Sequence, residues 1–355
     1  MREIKGTFPM NGEFLTEFWY VAAWDYELID NTRLARTILE TPILLYRGES
    51  GRVVALDDRC CHRAAPLSMG RIEGDCIRCM YHGMKYDPGG KCIEIPGQEK
   101  IPARLGVRSY PVAVRDHLVW IWMGVAEHAD PSLILDYPPL GDPGWRGMPS
   151  YLHYDANWML IVDNLADFAH LAFVHTNTLG GSEEYAYTTK PTTIEKLPDG
   201  FRVERWHRDS DSPPFHKKVI ADVDARVDRR NIGRMLVPGI FLLESRFAAA
   251  GAEDDTTARE YRNCQFMTPE TRGSTHFFWN YLHNFDLDNP NIALSLQRSL
   301  LQGFHEDKAI IEAQQTVFDA DPDYQLLAIA ADAPLAYFRR LMDQRLAGVI
   351  GGSPQ

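Results

Sequence analysis

The sequence predicts an α+β protein of two domains, an all-β N-terminal domain and a C-terminal domain in which helices flank an antiparallel sheet. Its 355 residues exceed the usual size of a single domain. Short runs rich in β-branched and aromatic residues fill the first third of the chain, whereas two long helical patterns enclose similar runs in the remainder. Proline and glycine crowd between Asp130 and Ser150, which indicates a linker. We therefore place the domains at residues 15–130 and 150–350.

The strands of the N-terminal domain are predicted from short apolar runs that turn-forming residues separate. Gly, Pro, Asp and Asn are frequent between these runs, as is typical of short β-strands joined by tight turns. The runs are WYVAAW, TPILLYR, RVVALDD and HLVWIWMG.

The C-terminal domain begins with a predicted buried helix in NWMLIVDNLADFAHLAFVH, because apolar residues recur on one helical face from Ile161 to Ala172. A second long helix follows DLDNPN, with an apolar stripe from Leu296 to Ile311. Asp332 is expected to cap a last helix that starts near Pro334. Strands joined by hairpins are expected in between, in the runs FRVERWH, KVIADVDARV, GIFLLESRF and THFFWNYLHNF.

The composition and charge of the chain exclude several classes of function. Apolar residues make up 45% and charged residues 24%, the proportions of an ordinary globular protein. The formal net charge of −12, without a run of Lys or Arg, argues against binding to nucleic acid or to an anionic membrane surface, because both are negatively charged. We find neither the apolar core of a secretion signal nor an apolar stretch of about 18 residues that could span a membrane. We expect a cytoplasmic protein, whose reducing surroundings favour metal sites over disulfides.

A dense group of possible metal ligands lies between Arg59 and Asp87. The pairs Cys60-x-His62 and Cys79-x-x-His82 are separated by sixteen residues. Zinc accepts two Cys and two His, but zinc sites usually pair like ligands. A Rieske [2Fe–2S] centre binds one iron with two thiolates and the other with two imidazoles, which suits pairs that each mix one Cys with one His. A structural zinc site remains the alternative at this point.

A second group of polar residues lies in the first predicted helix of the C-terminal domain. Burial of His170, His175 and Asp167 on that helix is costly unless they bind something. The two histidines are five residues apart, so on an ideal helix they would point about 140° from each other. We therefore predict a π-bulge or a helix end between them. A 2-His-1-carboxylate site for non-heme iron needs a third ligand, and Asp307 lies on the apolar stripe of the second helix, whereas Glu306 should point about 100° away.

These motifs together resemble the oxygenase component of the Rieske non-heme iron oxygenases, in the group that includes vanillate O-demethylase and dicamba monooxygenase. The resemblance rests on CCHRAAPLSMG, CMYHG, DNLADFAHLAFVH, TPET and EDK, and covers nearly the whole chain. Cys61 and Met84 depart from the commonest family pattern, but neither stands at a ligand position. The resemblance implies that Cys60, His62, Cys79 and His82 bind the cluster. It also implies a C-terminal catalytic domain with a helix-grip fold, in which His170, His175 and Asp307 bind a mononuclear Fe(II).

The same resemblance implies a homotrimer in which the cluster of one subunit serves the iron of the next, with Asp167 linking the two sites. Asn164 matches a position near the iron, and Gln265 and Arg298 match substrate-contacting positions of the family. O₂ would be the co-substrate. The chain shows no G-x-G-x-x-G motif after a strand, so electrons from NAD(P)H would arrive through a separate reductase or ferredoxin.

The expected reaction is hydroxylation of a small aromatic substrate, most plausibly oxidative O-demethylation of a methoxylated aromatic acid. Ring or methyl hydroxylation and N-demethylation by the same iron site are alternatives. An electron-transfer protein whose second domain only docks partners is a different class, as is a zinc-stabilised binding module. Iron content separates these classes, because the oxygenase would carry three irons in each chain and the electron carrier two.

Overall fold

The computed structural model describes residues 14–29, 31–180, 191–222, 224, 226–252 and 258–348. The chain divides into two compact units. The first contains Phe14–Asp136 together with Thr268–Thr271, and the second contains Tyr137–Met267 and the chain from Arg272 onward.

The first unit is built from short antiparallel strands. They are β1 (Trp19–Trp24), β2 (Arg33–Ile38), β3 (Thr41–Arg47), β4 (Val53–Asp57), β5 (Arg71–Glu73), β6 (Cys76–Arg78), β7 (Lys85–Tyr86), β8 (Cys92–Glu94), β9 (Ser109–Tyr110), β10 (Val112–Arg115) and β11 (Leu118–Trp122). They form three sheets, ordered β1-β11-β10, β2-β3-β4-β9 and β5-β6-β7-β8. The four predicted apolar runs correspond to β1, β3, β4 and β11, and the prediction of an all-β unit is confirmed.

Strand β3 connects two hydrophobic cores in this unit. Ile43 and Leu45 belong to a core with residues of β1 and β11, whereas Leu44 and Tyr46 belong to a core with Cys60 and other residues of the metal-ligand loops. Successive side chains of a strand point to opposite faces of the sheet, so one strand serves both cores. The second core fixes the loops that carry the candidate cluster ligands.

The second unit is organised around a seven-stranded antiparallel sheet, ordered β12-β18-β17-β16-β15-β14-β13. Its strands are β12 (Ser150–Tyr154), β13 (Pro191–Leu197), β14 (Gly200–Asp211), β15 (Arg226–Leu236), β16 (Ile240–Ala249), β17 (Arg259–Thr271) and β18 (Ser274–His283). The predicted strand in KVIADVDARV is largely wrong, because β15 begins only at Arg226 and the residues described before it form turns. Strands β12, β13 and β17 are not among the predicted runs.

Most helices of this unit lie either before β13 or after β18 in the chain. They are α1 (Trp158–Ala166), α2 (Leu171–Val174), α3 (Pro214–Lys217), α4 (Pro290–Ala320) and α5 (Ala333–Leu346). Asn157 caps α1 by accepting a hydrogen bond from Met159 N at 2.9 Å. Asp332 stands at the cap position of α5 as predicted, but its carboxylate accepts a hydrogen bond from Ile329 N instead of from the helix.

The single helix predicted from Ile161 to Ala172 is divided into α1 and α2. The predicted apolar stripe of α4 is buried from Leu296 to Ile311. Within the described residues, no helix is both long and apolar enough to cross a membrane.

Candidate metal centres and active site

The candidate cluster ligands of the first unit lie on two loops with the same backbone hydrogen bonds. In the first loop Cys60 N donates to Ala65 O at 2.8 Å, and Ala64 N donates to Cys60 O at 2.9 Å. The second loop repeats this pattern from Cys79, whose N donates to Met84 O at 2.8 Å while Gly83 N donates to Cys79 O at 3.0 Å. Each loop thus begins at a cysteine and closes after the same number of residues.

Both loops need a residue in the left-handed region at the same place. Ala64 has φ 54° and Gly83 has φ 77°. Only glycine adopts this conformation without steric cost, so Ala64 is held there by the bonds that close its loop. A Cβ atom on residue 83 would also lie 2.7 Å from Pro96 Cγ, which explains glycine in the second loop.

The two loops place thiols inside the unit and imidazoles at its surface. Cys60 and Cys79 are 3% and 1% exposed, whereas His62 and His82 are exposed and their ring centroids are 4.6 Å apart. Tyr86 Oη lies 3.0 Å from Cys60 Sγ. Desolvation, followed by the nearby His62 and Arg63, holds the pKa of His82 below its usual range, which favours the neutral imidazole that a metal requires. This arrangement suits a centre with a buried thiolate-bound iron and an outer imidazole-bound iron.

The remaining cysteines do not join this group of ligands. Cys61 is exposed, and Cys76 lies in β6 with an intermediate exposure, so the C-x-x-C that it forms with Cys79 does not unite two ligands on one loop. Cys92 and Cys264 are buried. All of them are free thiols.

In the second unit, the two histidines flank the short helix α2, which follows the break after α1. Asp167 is the C-cap residue of α1, where φ −101° and ψ 110° end the helix, and His170 begins α2. His175 ends that short helix. The break at Asp167 precedes both histidines, and the helix end that lies between them is the end of α2 at Val174. The ring centroids of His170 and His175 are 5.2 Å apart.

Within each histidine, the two ring nitrogens have different neighbours. The Nδ1 atom of His170 donates to the backbone oxygen of Asp167, and the Nδ1 atom of His175 donates to Glu306 Oε2 at 2.8 Å. Both Nε2 atoms face Asp307 Oδ1, at 3.5 Å from His170 and 3.0 Å from His175. The three side chains offer ligand atoms that lie within 4.8 Å of one another.

The surroundings of these three side chains favour a cation. His175 is 0% exposed, and its Nε2 atom has no hydrogen-bond partner of proper geometry among the described residues in spite of its closeness to Asp307. A buried ring nitrogen without a partner is costly, whereas a metal ion between it and the carboxylate satisfies both. Asn164 Nδ2 donates to Asp307 Oδ1 at 2.9 Å and holds the carboxylate in place.

The protonation of the two histidines differs because their neighbours differ. Burial lowers the pKa of His170, and this effect outweighs the nearby Asp307. Burial also opposes the charged form of His175, but the carboxylates of Asp307 and Glu306 outweigh it and raise the pKa of His175. A metal ion bound at Nε2 of His175 would replace the proton that Asp307 attracts there, whereas the Nδ1 proton that Glu306 accepts would remain.

Glu306 is a site residue that the sequence analysis did not identify. Helical geometry predicts that it points away from the core, and its side chain is indeed 30% exposed. Its Oε2 atom nevertheless accepts hydrogen bonds from His175 Nδ1 and from Thr178 Oγ1, the latter at 2.7 Å. A long side chain on the flank of α4 reaches a histidine that lies just beyond the end of α2. Its place beside Asp307 in the sequence was the only available signal.

A cavity opens beside the three candidate ligands, and its walls are mainly apolar and aromatic. Its apolar and aromatic lining comes from Leu165, Phe168, Leu171, Leu179, Phe215, Phe241, Leu243, Tyr281, Leu300 and Phe304. Three polar side chains of the sheet also line it, namely Arg229, Asn263 and Gln265. Of the two substrate-contact candidates, Gln265 lines this cavity, whereas Arg298 is exposed and lines a different depression on α4.

Two family profiles match the chain. The Rieske [2Fe–2S] domain matches residues 18–111, and the vanillate O-demethylase oxygenase C-terminal domain matches residues 154–348. The chain belongs to the Rieske non-heme iron oxygenases.

Relatives that match most of the chain support this membership. The oxygenase is 42% identical to the iron–sulfur subunit of a toluene-4-sulfonate monooxygenase system from Comamonas testosteroni, over 96% of this chain and 99% of that one. It is 36% identical to the oxygenase component of dicamba O-demethylase from Stenotrophomonas maltophilia, over 84% and 88% of the two chains. A crystal structure of dicamba monooxygenase bound to dicamba has a TM-score of 0.85 at 31% identity and covers 95% of this chain and 98% of its own.

The oxygenase therefore uses a Rieske [2Fe–2S] cluster, a mononuclear iron and O₂. The predicted fold class is confirmed, with an all-β N-terminal unit and a C-terminal sheet with flanking helices. The side chains present fit both metal groups, as the paired loops and the unpartnered Nε2 atom of His175 indicate.

Proposed function

We propose that the protein is a terminal oxygenase that accepts electrons from a separate reductase and hydroxylates a methyl or methoxy carbon of a small aromatic substrate. Our first candidate is oxidative O-demethylation of a methoxylated aromatic acid. The observation that carries the proposal is the convergence of His170 Nε2, His175 Nε2 and Asp307 Oδ1 at the wall of an aromatic cavity. Such a triad leaves positions on iron open for O₂.

Each unit has a separate role in this proposal. Residues 15–130 relay electrons through a cluster held by Cys60, His62, Cys79 and His82. Residues 150–350 hold the mononuclear iron with His170, His175 and Asp307. The bound metal groups supply the electrons and the oxygen chemistry, and the chain supplies their geometry.

Hydrogen bonds within the chain fix the ligand atoms before metal binding. The backbone oxygen of Asp167 and the carboxylate of Glu306 hold the Nδ1–H tautomers, so that both Nε2 atoms are available. Asn164 orients Asp307 in the same way. Apolar and aromatic side chains dominate the wall of the cavity, which suits contact with an aromatic ring.

Asp167 has a second proposed role in electron transfer between subunits. Its Oδ1 atom accepts a hydrogen bond from Ala169 N at 2.8 Å, while Oδ2 is left for another partner in a half-buried position. We assign Oδ2 to a cluster imidazole of the next subunit in a head-to-tail homotrimer. The carboxylate would then connect the two metal centres at the shortest distance.

Methyl hydroxylation is the second candidate reaction. The relative that is 42% identical is named a toluene-4-sulfonate monooxygenase, and its name implies oxidation of a methylated aromatic sulfonate. The cavity lining alone accommodates either kind of substrate.

Two measurements test the proposed function. Iron analysis of anaerobically purified protein is expected to give three irons in each chain, and two would instead support a plain electron carrier. Turnover with a matched reductase and O₂ is then followed for products. Formaldehyde with a phenol indicates O-demethylation, and a benzyl alcohol indicates methyl hydroxylation. A cis-dihydrodiol would contradict both reactions.

We place the protein in the cytoplasm, which suits its free cysteines.

A further inference from the structure

Arg229 places a buried positive charge in the wall of the active-site cavity. It lies on β15, is 6% exposed and lines the same cavity as His170, His175 and Asp307. Within the part of the chain that the structure describes, no carboxylate lies at ion-pair distance from its guanidinium. An unpaired buried charge is costly, so such a residue is expected to have a partner that is absent from the folded chain.

The other arginines of β15 show that this strand normally neutralises its charges. Arg226 lies 2.9 Å from Asp209, Arg230 lies 2.9 Å from Glu204, and Arg234 lies 3.1 Å from Glu244. All three are less buried than Arg229. Among these four arginines, the one that most needs a counter-ion is therefore the one that has no carboxylate partner within the described residues.

The contacts of Arg229 orient the guanidinium but do not neutralise it. Its Nε atom donates to Asn231 Oδ1 at 3.2 Å, and that oxygen also accepts from Ser245 Oγ at 2.8 Å. The guanidinium carbon lies 5.2 Å from the ring centroid of Phe247 and 5.9 Å from that of Phe215. The neutral amide of Asn231 and the rings of Phe215 and Phe247 hold the guanidinium in place, and the outer N–H groups of the guanidinium are left for a ligand.

Nearby polar groups do not supply a counter-charge to Arg229, and two of them, Asn263 and Gln265, line the cavity. Burial, and then the charges of neighbouring arginines that include Arg229, lowers the pKa of both His207 and His216 to about 3, so both imidazoles are neutral. Asn263 and Gln265 are each 2% exposed, and their side-chain oxygens have no partner among the described residues. These amides lie on β17, where Asn263 pairs with Leu243 of β16. They offer further hydrogen bonds to a polar substituent.

We propose that Arg229 binds an oxyanion of the substrate, a sulfonate or a carboxylate, while the aromatic ring of the substrate lies against the apolar wall. The inference rests on the proposed function, since it assigns the charge of the substrate for that same cavity. A planar guanidinium fork matches the geometry of both oxyanions and forms charge-assisted hydrogen bonds with them. Arg229 is thus a specificity residue, and neutral arenes of the same shape are poor ligands.

The test measures equilibrium binding of ligands to the purified holoprotein by calorimetry under anaerobic conditions. The ligands are toluene-4-sulfonate and 4-methylbenzoate, each compared with its neutral amide, toluene-4-sulfonamide or 4-methylbenzamide. The wild-type protein is expected to bind at least one anion roughly 10- to 100-fold more tightly than its amide. The two anions distinguish a sulfonate site from a carboxylate site.

Two substitutions at Arg229 and one at the neighbouring Arg230 decide whether Arg229 is responsible for the preference for the anion. Arg229→Gln is expected to remove the preference for the anion, and Arg230→Gln, which removes the same charge from the next residue of β15, is expected to keep it. Arg229→Lys keeps the charge but loses the fork, so it should bind the anion several-fold less tightly than the wild type. If Arg229→Gln does not retain its Rieske cluster, the comparison of Arg229→Lys with the wild type decides the test. No preference in the wild type, or a full preference in either folded Arg229 variant, overturns the proposal.

Product analysis separates failure of this inference from failure of the proposed function. Oxygenated products formed equally well from charged and neutral arenes would overturn the anion site alone. A preference for anions that depends on Arg229, without any oxygenated product, would leave the anion site intact and remove the proposed reaction.

Discussion

The hydrogen bond from His175 to Glu306 makes a quantitative prediction about iron affinity. Glu306→Ala removes the acceptor of His175 Nδ1–H, at 2.8 Å, and the acceptor of Thr178 Oγ1, at 2.7 Å. His175 itself is fully buried and keeps its need for a partner. Loss of the group that orients a metal-bound imidazole usually costs about 10- to 100-fold in metal affinity. This range corresponds to about 1.4–2.7 kcal/mol.

The exposure of Glu306 places the expected loss at the lower end of that range. Its side chain is 30% exposed, so water can enter the space left by truncation and accept the Nδ1 proton in part. We therefore expect about a 10-fold weaker Fe(II) affinity for Glu306→Ala. Glu306→Gln retains an oxygen that can accept the same proton, and its loss should be about 3-fold or less.

The assay is an anaerobic Fe(II) titration against a chromophoric chelator, on protein whose Rieske cluster is intact by absorbance. Gln302→Ala is a matched control, because Gln302 Nε2 contacts the other carboxylate oxygen of Glu306 at 3.4 Å and does not touch His175. This control should bind Fe(II) like the wild type. An unchanged affinity in Glu306→Ala with a full cluster would refute the reasoning, as would an equal loss in the control.

Three further predictions follow from other parts of the molecule. Asp167→Asn should leave both metal sites filled but slow the transfer of electrons to the mononuclear iron in single-turnover absorbance measurements, and an unchanged rate would remove Asp167 from the electron path. Tyr86→Phe removes the hydroxyl that lies 3.0 Å from Cys60 Sγ, and loss of a hydrogen bond to a cluster sulfur should lower the reduction potential by about 60 mV in a redox titration. Hydrogen bonding to Arg230 is the main cause that lowers the pKa of Glu204 from 4.5 to about 2, so its stabilisation is complete above pH 4.5 and is lost as the pH falls toward 2. Glu204→Gln should reduce the free energy of unfolding at pH 7 by about 1 kcal/mol, because solvent screening reduces the energy that the pKa shift alone implies. It should also flatten the dependence of that free energy on pH in the acid window, as measured by denaturant titration.

The candidate cluster site shows how much local spacing can predict. The spacing of Cys60, His62, Cys79 and His82 indicated two equivalent pairs of ligands, and the structure places the pairs on two loops with equivalent backbone hydrogen bonds. Asp307 was found in the same way, because a carboxylate on the apolar stripe of a long helix must face the core. The angle of about 140° between His170 and His175 on an ideal helix predicted a π-bulge or a helix end, and the structure ends α2 at Val174, directly before His175.

Local patterns failed where burial depends on distant strands. Strand β17 begins with three charged residues around Tyr261, and its middle carries Asn263 and Gln265, so it did not stand out as an apolar β-run. The run KVIADVDARV contains enough β-branched residues to suggest a strand, but most of its described part forms turns before β15. Tertiary pairing overrides such short-range preferences.

The sequence by itself determined the types of the candidate ligands, their spacing and the helix end before His175, because these follow from covalent geometry and helical periodicity. Only the tertiary structure decided which charged residues serve the site. Arg229 and Arg298 are the same type of residue, yet Arg229 is buried in the cavity wall and Arg298 is exposed on α4. Glu306 gained its role because α4 passes beside the end of α2. Burial and proximity arise from packing between distant segments, which no local pattern contains.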